Sequence, residues 1–302
     1  MGRLGSINRQ VNDLFQQSGI FTPSESKHDA KNEARFAGAN DWHKMGKELM
    51  IHSYATAKQY KDIWHQAANW IKAEHKIRDV TKIEGCHAAD WLRHKIDNDG
   101  IAKSTAQQYV AGMEKFGLAL TKFTGKVHDF SDALKEVRTY AKNVLTNSHT
   151  NRGYKNPEKV ISVISLPEHK LVAKIQHETG ARIHEVGQLN EKKLTETGVW
   201  VSGKGGFKRE LPLPANLLAE LKKHVAENGG KMRFDYNSYL DRLKKACEIA
   251  GETYSGSHSF RYCYARRNFD QYLKLGIGYL ESLKLLSKNL GHHRYSISKR
   301  YL

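Results

Sequence analysis

Residues 198–214, GVWVSGKGGFKRELPLP, mark a change of period in this 302-residue chain. Apolar residues here alternate, so the stretch reads as two short strands, 198–202 and 207–213, joined by the glycine-rich turn GKGG. On both sides the spacing is helical. Upstream, PEHKLVAKIQHETG (167–180) predicts a helix that ends at Gly180. Pro167 falls in its first turn, where a missing N–H costs little, and Ser165 and Glu168 have capping-box spacing. Downstream, ANLLAELKKHVAE (215–227) resumes the helical period, which continues to the end. The second half is therefore α+β, helices around a small antiparallel sheet.

The first half is helical throughout. MIHSYATAKQYKDIWHQAANWIKAEH (50–75) places Tyr60, Ile63, Trp64, Ala67, Trp70 and Ile71 on one stripe. CHAADWLRHKIDN (86–98), STAQQYVAGMEKFGLALTKF (104–123) and FSDALKEVRTYAKNVL (130–145) predict three more helices, the second opened by a Ser104 and Gln107 capping box. Ahead of them, INRQVNDLF (7–15) carries Ile7, Val11, Leu14 and Phe15 on one face, followed by a polar run at 22–40. This start reads as a short helix on a loosely held arm. TNSHTNRGYKNPEK (146–159) is polar, holds Gly and Pro and lacks an apolar period, so it reads as a linker. The expected layout is an arm or extra helix at 1–45, a four-helix domain at 46–147, a linker at 148–160 and an α+β domain at 161–302. The fold class is mainly α, in two domains.

Charge narrows the partner. Lys and Arg number 49 against 32 Asp and Glu, a formal +17, and the basic residues are spread along the whole chain. That distribution suits a protein that wraps a polyanion, and nucleic acid is the favoured partner. No apolar run is long enough to span a bilayer and no secretory signal opens the chain. Cys86, Cys247 and Cys263 are odd in number and far apart, which fits reduced thiols in a cytoplasm and argues against zinc or redox work. His292 and His293 are adjacent and cannot share a helix face as metal ligands, so no metal is expected.

Four stretches of the second half carry the chemistry: TGARIHEVGQL (179–189), GKGGFKRELPL (203–213), HSFRYCYARR (258–267) and LGHHRYSISKRYL (290–302). In order and spacing they resemble the tyrosine recombinases, the phage integrase family, across the whole second half. That family carries T-G-x-R-x-x-E, a hairpin lysine, H-x-x-R, and L-G-H with a nucleophilic tyrosine nine residues beyond its histidine. Here these positions are Arg182 and Glu185, Lys204, His258 and Arg261, His292 and Tyr301. The four-helix first half looks like the family's DNA-clamping domain. The resemblance implies that the two domains close around duplex DNA as a C-shaped clamp. Tyr301 would attack a phosphodiester to leave a covalent 3′-phosphotyrosine and a free 5′-hydroxyl, with no cofactor, ATP or metal. Protomers would act as a dimer on each site and a tetramer in synapsis, with accessory DNA-bending proteins as further partners. Mobile elements and chromosome maintenance are both roles of such enzymes.

The residue types suit that chemistry. Attack on phosphorus builds negative charge on the non-bridging oxygens, and Arg182 and Arg261 can each offer a planar two-pronged donor to them. Losing either is expected to raise the barrier by roughly 3 to 4 kcal/mol. Lys204, in a glycine turn, can swing toward the leaving 5′-oxygen as general acid, while Lys208, within the second strand, is a weaker rival. His258 and His292 can donate to phosphate or move the tyrosine proton, and His293 is their neighbour. Glu185 would orient an arginine or histidine. A phenol ionises near pH ~10, so carrying it to phenolate at neutrality is worth about 4 kcal/mol, which a cationic cluster would supply. Tyr295, three residues from His292, is better explained by packing or DNA contact.

Candidate DNA contacts elsewhere are Lys58 and Lys61, the polar face of the third predicted helix at Ser104, Gln107 and Gln108, and Arg242, Lys244 and Lys245. Many family members continue beyond the tyrosine into a segment that docks on a neighbouring protomer, whereas this sequence stops at Leu302. Such docking is then either absent or supplied by another segment, such as residues 1–20, or lost by truncation. Two alternatives to a recombinase stand: a type IB topoisomerase, which uses a similar residue set to relax supercoils as a monomer, and a non-cleaving architectural or regulatory DNA binder.

Overall fold

The helical period of the first half is realised in the computed structural model of the chain, which describes residues 5–38, 41, 46, 49–146, 152–203, 208–292 and 294–302. Contacts divide the chain into two units, Met1–Ser148 and His149–Leu302. The first contains α1 (Ile7–Gln17), α2 (Lys27–Phe36), α3 (Tyr54–His75), α4 (Gly85–Asp97), α5 (Lys103–Thr124) and α6 (Ser131–Val144). The stripe on α3 buries Ile63, Trp64, Ala67 and Ile71, and the Trp64 indole N–H donates to the Gly112 carbonyl of α5 at 2.8 Å. A Cβ on Gly112 would sit 3.0 Å from Ile63 Cδ1, so the missing side chain permits this close helix crossing.

Two readings of this half are corrected. Residues 7–17 are not a loose arm: Ile7, Val11 and Leu14 are buried, and the Phe15 ring lies 5.5 Å from that of Trp64. The apolar stripe of α1 is wide enough to demand a partner, and α3 provides it. By contrast α2 buries nothing. Nor do Ser104 and Gln107 cap α5. Ala102 already carries the extended N-cap backbone (φ −65°, ψ 151°), which leaves Ser104 inside the first turn.

The second unit contains α7 (Pro157–Ser162), α8 (Pro167–Thr179), α9 (Ile183–Gly187), β1 (Gly198–Ser202), β2 (Lys208–Pro212), α10 (Ala215–Glu227), α11 (Tyr236–Ala250), α12 (Ser259–Lys274), α13 (Tyr279–Asn289) and a closing 3₁₀ helix, Tyr295–Tyr301. The strands pair antiparallel, with Gly198 opposite Pro212, Trp200 opposite Glu210 and Ser202 opposite Lys208. Val199, Val201 and Leu211 point inward to join Val172, Ile175, Leu221, Leu243 and Phe260 in one core.

Here too local readings shift. Ser165 does not cap α8. Pro167 at N1 forces Leu166 into the extended conformation of the N-cap (φ −91°, ψ 130°), and the Ser165 hydroxyl instead accepts from Arg242 Nη1 at 2.9 Å. The end of the expected linker belongs to the second unit. Tyr154 is buried edge-on to Phe260 and donates to the Gly256 carbonyl at 2.9 Å, while the Lys155 and Asn156 N–H groups both reach the Glu252 carboxylate. One aromatic side chain with a satisfied hydroxyl is enough to fasten an otherwise polar segment. Among the described residues no helix is long and apolar enough to cross a membrane.

Candidate active site

Three segments distant in sequence converge at the start of α12. Gly180, the left-handed cap of α8 (φ +65°), turns the chain so that Arg182 becomes the N-cap of α9; a Cβ at Gly180 would collide with the Tyr264 ring at 2.5 Å. His258 is the N-cap of α12, and Arg261 follows in its first turn. The chain after α13 then brings back Leu290, His292 and Tyr301.

Arg261 is the hub, fully buried. Its Nη1 donates to the Gly180 carbonyl at 2.5 Å, its Nη2 to the Leu290 carbonyl at 2.5 Å and to His292 Nε2 at 3.1 Å, and its Nε to the Tyr301 hydroxyl at 3.3 Å. Of the five N–H groups of a guanidinium only one, on Nη1, is left over among the described residues. The free two-pronged face expected of Arg261 is therefore not presented here: the side chain spends its donors holding the 180 turn, the 290–292 turn and the phenol together. Burial pulls its pKa down to about 10, which leaves it cationic at neutral pH.

Tyr301 is 8% exposed. Its ring stacks on His292 (centroids 5.4 Å, 28°) and packs against Tyr262 at 4.7 Å, with the Arg261 guanidinium carbon 5.5 Å from its centroid. Its hydroxyl lies 3.2 Å from His258 Nε2. Burial, reinforced by Arg261 and Arg182, drives His258 down to about 4 and His292 to about 3, so both rings are neutral at physiological pH. The tautomer of His292 follows from the hydrogen-bond network. Because Arg261 can only donate, His292 Nε2 is an acceptor, and its Nδ1–H faces Ser298 Oγ at 3.2 Å. His258 Nε2 lies within hydrogen-bond reach of the Tyr301 hydroxyl, and in the Nδ1–H tautomer the neutral ring accepts the phenol proton.

Arg182 is more open, its side chain 21% exposed, and among the described residues Glu185 is the sole hydrogen-bond partner of its guanidinium, at 3.0 Å from Nη1. Glu185 is buried. It accepts the Arg182 backbone N–H at 2.7 Å and, through both oxygens, a fork from Arg209 at 3.0 and 2.9 Å. Burial alone would raise the Glu185 carboxyl; hydrogen bonds and charge from Arg209, then Arg182, hold it below its ordinary value. The arrangement is a neutral imidazole, a phenol, one committed and one accessible arginine, at the edge of a charge-paired carboxylate.

No protein-family model and no curated protein matches the sequence. Solved structures do. A lambda integrase dimer bound to a COC′ core site aligns at TM-score 0.62 and 14% identity, covering 92% of this chain and 77% of that one. A lambda integrase tetramer bound to a Holliday junction aligns at 0.60 and 17%, covering 89% and 80%. The Tn1549 transposon integrase in complex with a circular intermediate DNA aligns at 0.54 and 12%, covering 98% and 94%. The fold is that of the tyrosine recombinases.

Within this recombinase fold, the structure gathers five of the sequence-selected residues, Arg182, His258, Arg261, His292 and Tyr301, with Glu185 behind Arg182. Lys204 and His293 lie outside the described residues. Lys208 is exposed at the start of β2. Tyr295 is 44% exposed, away from these contacts. Sequence reasoning missed Arg209 and Ser298. Arg209 had a legible signal, a charged residue in the inward phase of a strand whose next inward residue is Leu211; Ser298 had none.

The candidate DNA contacts fall into separate groups. Lys58 is exposed and paired with Asp62 at 2.9 Å, and Lys61 reaches over the Phe15 ring at 6.0 Å. Ser104, Gln107 and Gln108 are exposed on α5, and Lys244 and Lys245 on α11, whereas Arg242 is tied to Ser165. In the first unit Glu84, Cys86 and His87 bring possible ligand atoms within 4.8 Å of one another, but His87 Nδ1 already accepts the Glu84 N–H.

Proposed function

We propose that the protein is a site-specific DNA recombinase that cuts and rejoins strands through Tyr301. The observation that carries this reading is the Tyr301 hydroxyl lying within hydrogen-bond reach of both His258 Nε2 and Arg261 Nε. In the step this supports, Tyr301 Oη attacks phosphorus and its proton passes to neutral His258. The new bond is Oη–P and the broken bond P–O5′, so the products are a 3′-phosphotyrosyl ester and a 5′-hydroxyl. Lys204 supplies the proton to the departing oxygen. Arg182, with donors to spare, neutralises charge on the non-bridging oxygens, and the remaining Nη1 proton of Arg261 adds to it. Attack of another strand's 5′-hydroxyl on the ester reverses the step. The DNA complexes named for the lambda integrase and Tn1549 structures, dimeric and tetrameric among the former, support duplex DNA as substrate and assembly on paired sites. The formal charge of +17 agrees.

The test uses nicked duplexes drawn from the DNA flanking the protein's own gene, in which cleavage releases a short fragment and traps the adduct. On a denaturing gel a protein–DNA band is expected from the wild-type chain and from Tyr295→Phe, and none from Tyr301→Phe. Salt-sensitive binding with no adduct on two independent sets of duplexes would overturn the reading in favour of a non-cleaving DNA binder.

A further inference from the structure

Arg209 occupies a position where the strand pattern calls for an apolar side chain. In β2 exposed and buried residues alternate, and Arg209 points inward with Leu211. A buried guanidinium is tolerated only when paired and hydrogen-bonded, and every Arg209 nitrogen is used. Nη1 and Nη2 form the fork on Glu185, and Nε donates to the Asn289 carbonyl at 2.9 Å. The side chain lies against the backbone of Gly291, where a Cβ would come 2.7 Å from Nη1. One residue therefore touches three segments: the hairpin strand that follows residues 203–207, the carboxylate that holds Arg182, and the turn that precedes His292.

We propose that Arg209 is a positioning residue for the oxyanion-binding side of this site. The inference rests on the strand-transfer reading above and deepens it. Glu185 has two oxygens and two arginines to serve. By gripping both oxygens, Arg209 fixes the carboxylate plane, so the bond from Oε1 to Arg182 Nη1 has one direction and the other Arg182 donors face outward. A lone Glu185–Arg182 pair could close into its own fork and withdraw those donors from phosphate. On its other side the Nε bond to the Asn289 carbonyl anchors the guanidinium, so that the fork on Glu185 keeps its plane. Lysine cannot replace it, because a single ammonium cannot span both carboxylate oxygens and the carbonyl with a planar fork.

The experiment compares full-length wild type with Arg209→Lys, Arg182→Lys, the double variant, and Leu221→Ala as a core truncation on α10. Single-turnover adduct formation is measured on the nicked duplex, with DNA affinity, thermal midpoint and tungstate affinity by calorimetry in parallel. Arg209→Lys is expected to form adduct roughly 10²-fold more slowly with DNA affinity unchanged. The double variant should be no slower than Arg182→Lys alone, because Arg209 acts through Arg182, and Leu221→Ala should keep its rate despite its lower midpoint. A wild-type rate in Arg209→Lys, losses that multiply in the double variant, or equal slowing in Leu221→Ala overturns the proposal. If Arg209→Lys does not fold, Glu185→Gln, which keeps the shape and weakens both pairs, must show the same loss and the same non-additivity.

Should wild type form no adduct on any duplex, the strand-transfer reading fails and the tungstate arm decides the role of Arg209 alone. A loss of tungstate binding in Arg209→Lys equal to that in Arg182→Lys supports positioning. Undiminished binding in Arg209→Lys, or no binding by wild type, overturns it.

Discussion

His258 Nε2 and the Tyr301 hydroxyl lie 3.2 Å apart, with the imidazole held neutral by burial and by the arginines beside it. A neutral ring accepts a proton; a protonated one does not. Because its pKa is depressed to about 4, adduct formation should stay level as pH falls from 8 toward 5 and decline only as pH approaches 4. Single-turnover rates across that range check this, and a midpoint near 6.5 would show that His258 titrates as an ordinary histidine and is not the acceptor described.

His258 and His292 also make stability depend on pH. Both folded values, about 4 for His258 and about 3 for His292, lie below the unfolded 6.5. Between pH 6.5 and 4 the unfolded chain binds more protons, so stability is full above 6.5 and lost as pH falls through that window. Each ring contributes at most roughly 3 kcal/mol by pH 4, less whatever solvent screening removes. Denaturant titrations should show the decline, and a His258→Asn/His292→Asn variant should flatten it.

Replacing Arg261 by alanine removes the donors of the buried Gly180 and Leu290 carbonyls together with its contact to Tyr301. A stability loss of roughly 2–5 kcal/mol is expected from the stranded carbonyls, alongside loss of adduct formation. Tyr301→Phe should abolish the adduct while changing stability by less than about 1 kcal/mol, since only two long hydrogen bonds disappear. Thermal melts separate the two effects.

Ser298 is fully buried and faces His292 Nδ1. Ser298→Ala should slow adduct formation about 2–10-fold, the value of one net hydrogen bond, by releasing the tautomer that lets His292 Nε2 accept from Arg261. The fold should be unaffected. An unchanged rate would mean that Arg261 alone sets the ring.

In the first unit, Gly117→Ala tests close packing on α5. The added Cβ would meet the His128 carbonyl oxygen at 2.9 Å, an obstacle made of backbone. Overpacking of roughly 1–3 kcal/mol should outweigh the gain of about 1 kcal/mol in helix propensity. Gly112→Ala meets instead Ile63 Cδ1 at 3.0 Å and Cγ2 at 3.1 Å, side-chain atoms that yield more readily than a backbone carbonyl, and should cost less. Denaturant melts of the two variants rank them.

Much of the secondary structure was legible because it is local. The alternation at 198–214 and the helical spacing around it depend only on neighbours a few residues apart, and so β1, β2 and the helices flanking them can be read from period alone. Helix starts were less legible. Ser104 and Ser165 both have capping-box spacing, yet Ala102 and Leu166 are the N-caps, because a one- or two-residue offset is decided by backbone dihedrals and, at Leu166, by the following proline. Which surface residues join a core was not legible at 7–17 or at Tyr154, since each needed a partner more than forty residues away.

The sequence by itself determined the order and types of the chemically capable side chains: two motif arginines, two histidines and a tyrosine at family spacing. Only the tertiary structure decided what each is free to do. Arg261 is committed through 29 to 81 residues of intervening chain to Leu290, Tyr301 and Gly180, while Arg182 keeps donors for a ligand. Arg209, marked in the sequence only as a charge in the inward phase of a strand, becomes the second partner of Glu185 only when the hairpin folds against α9. Hydrogen bonds and burial act over a few ångströms of space, and in this chain those ångströms are set by packing between segments that no local pattern connects.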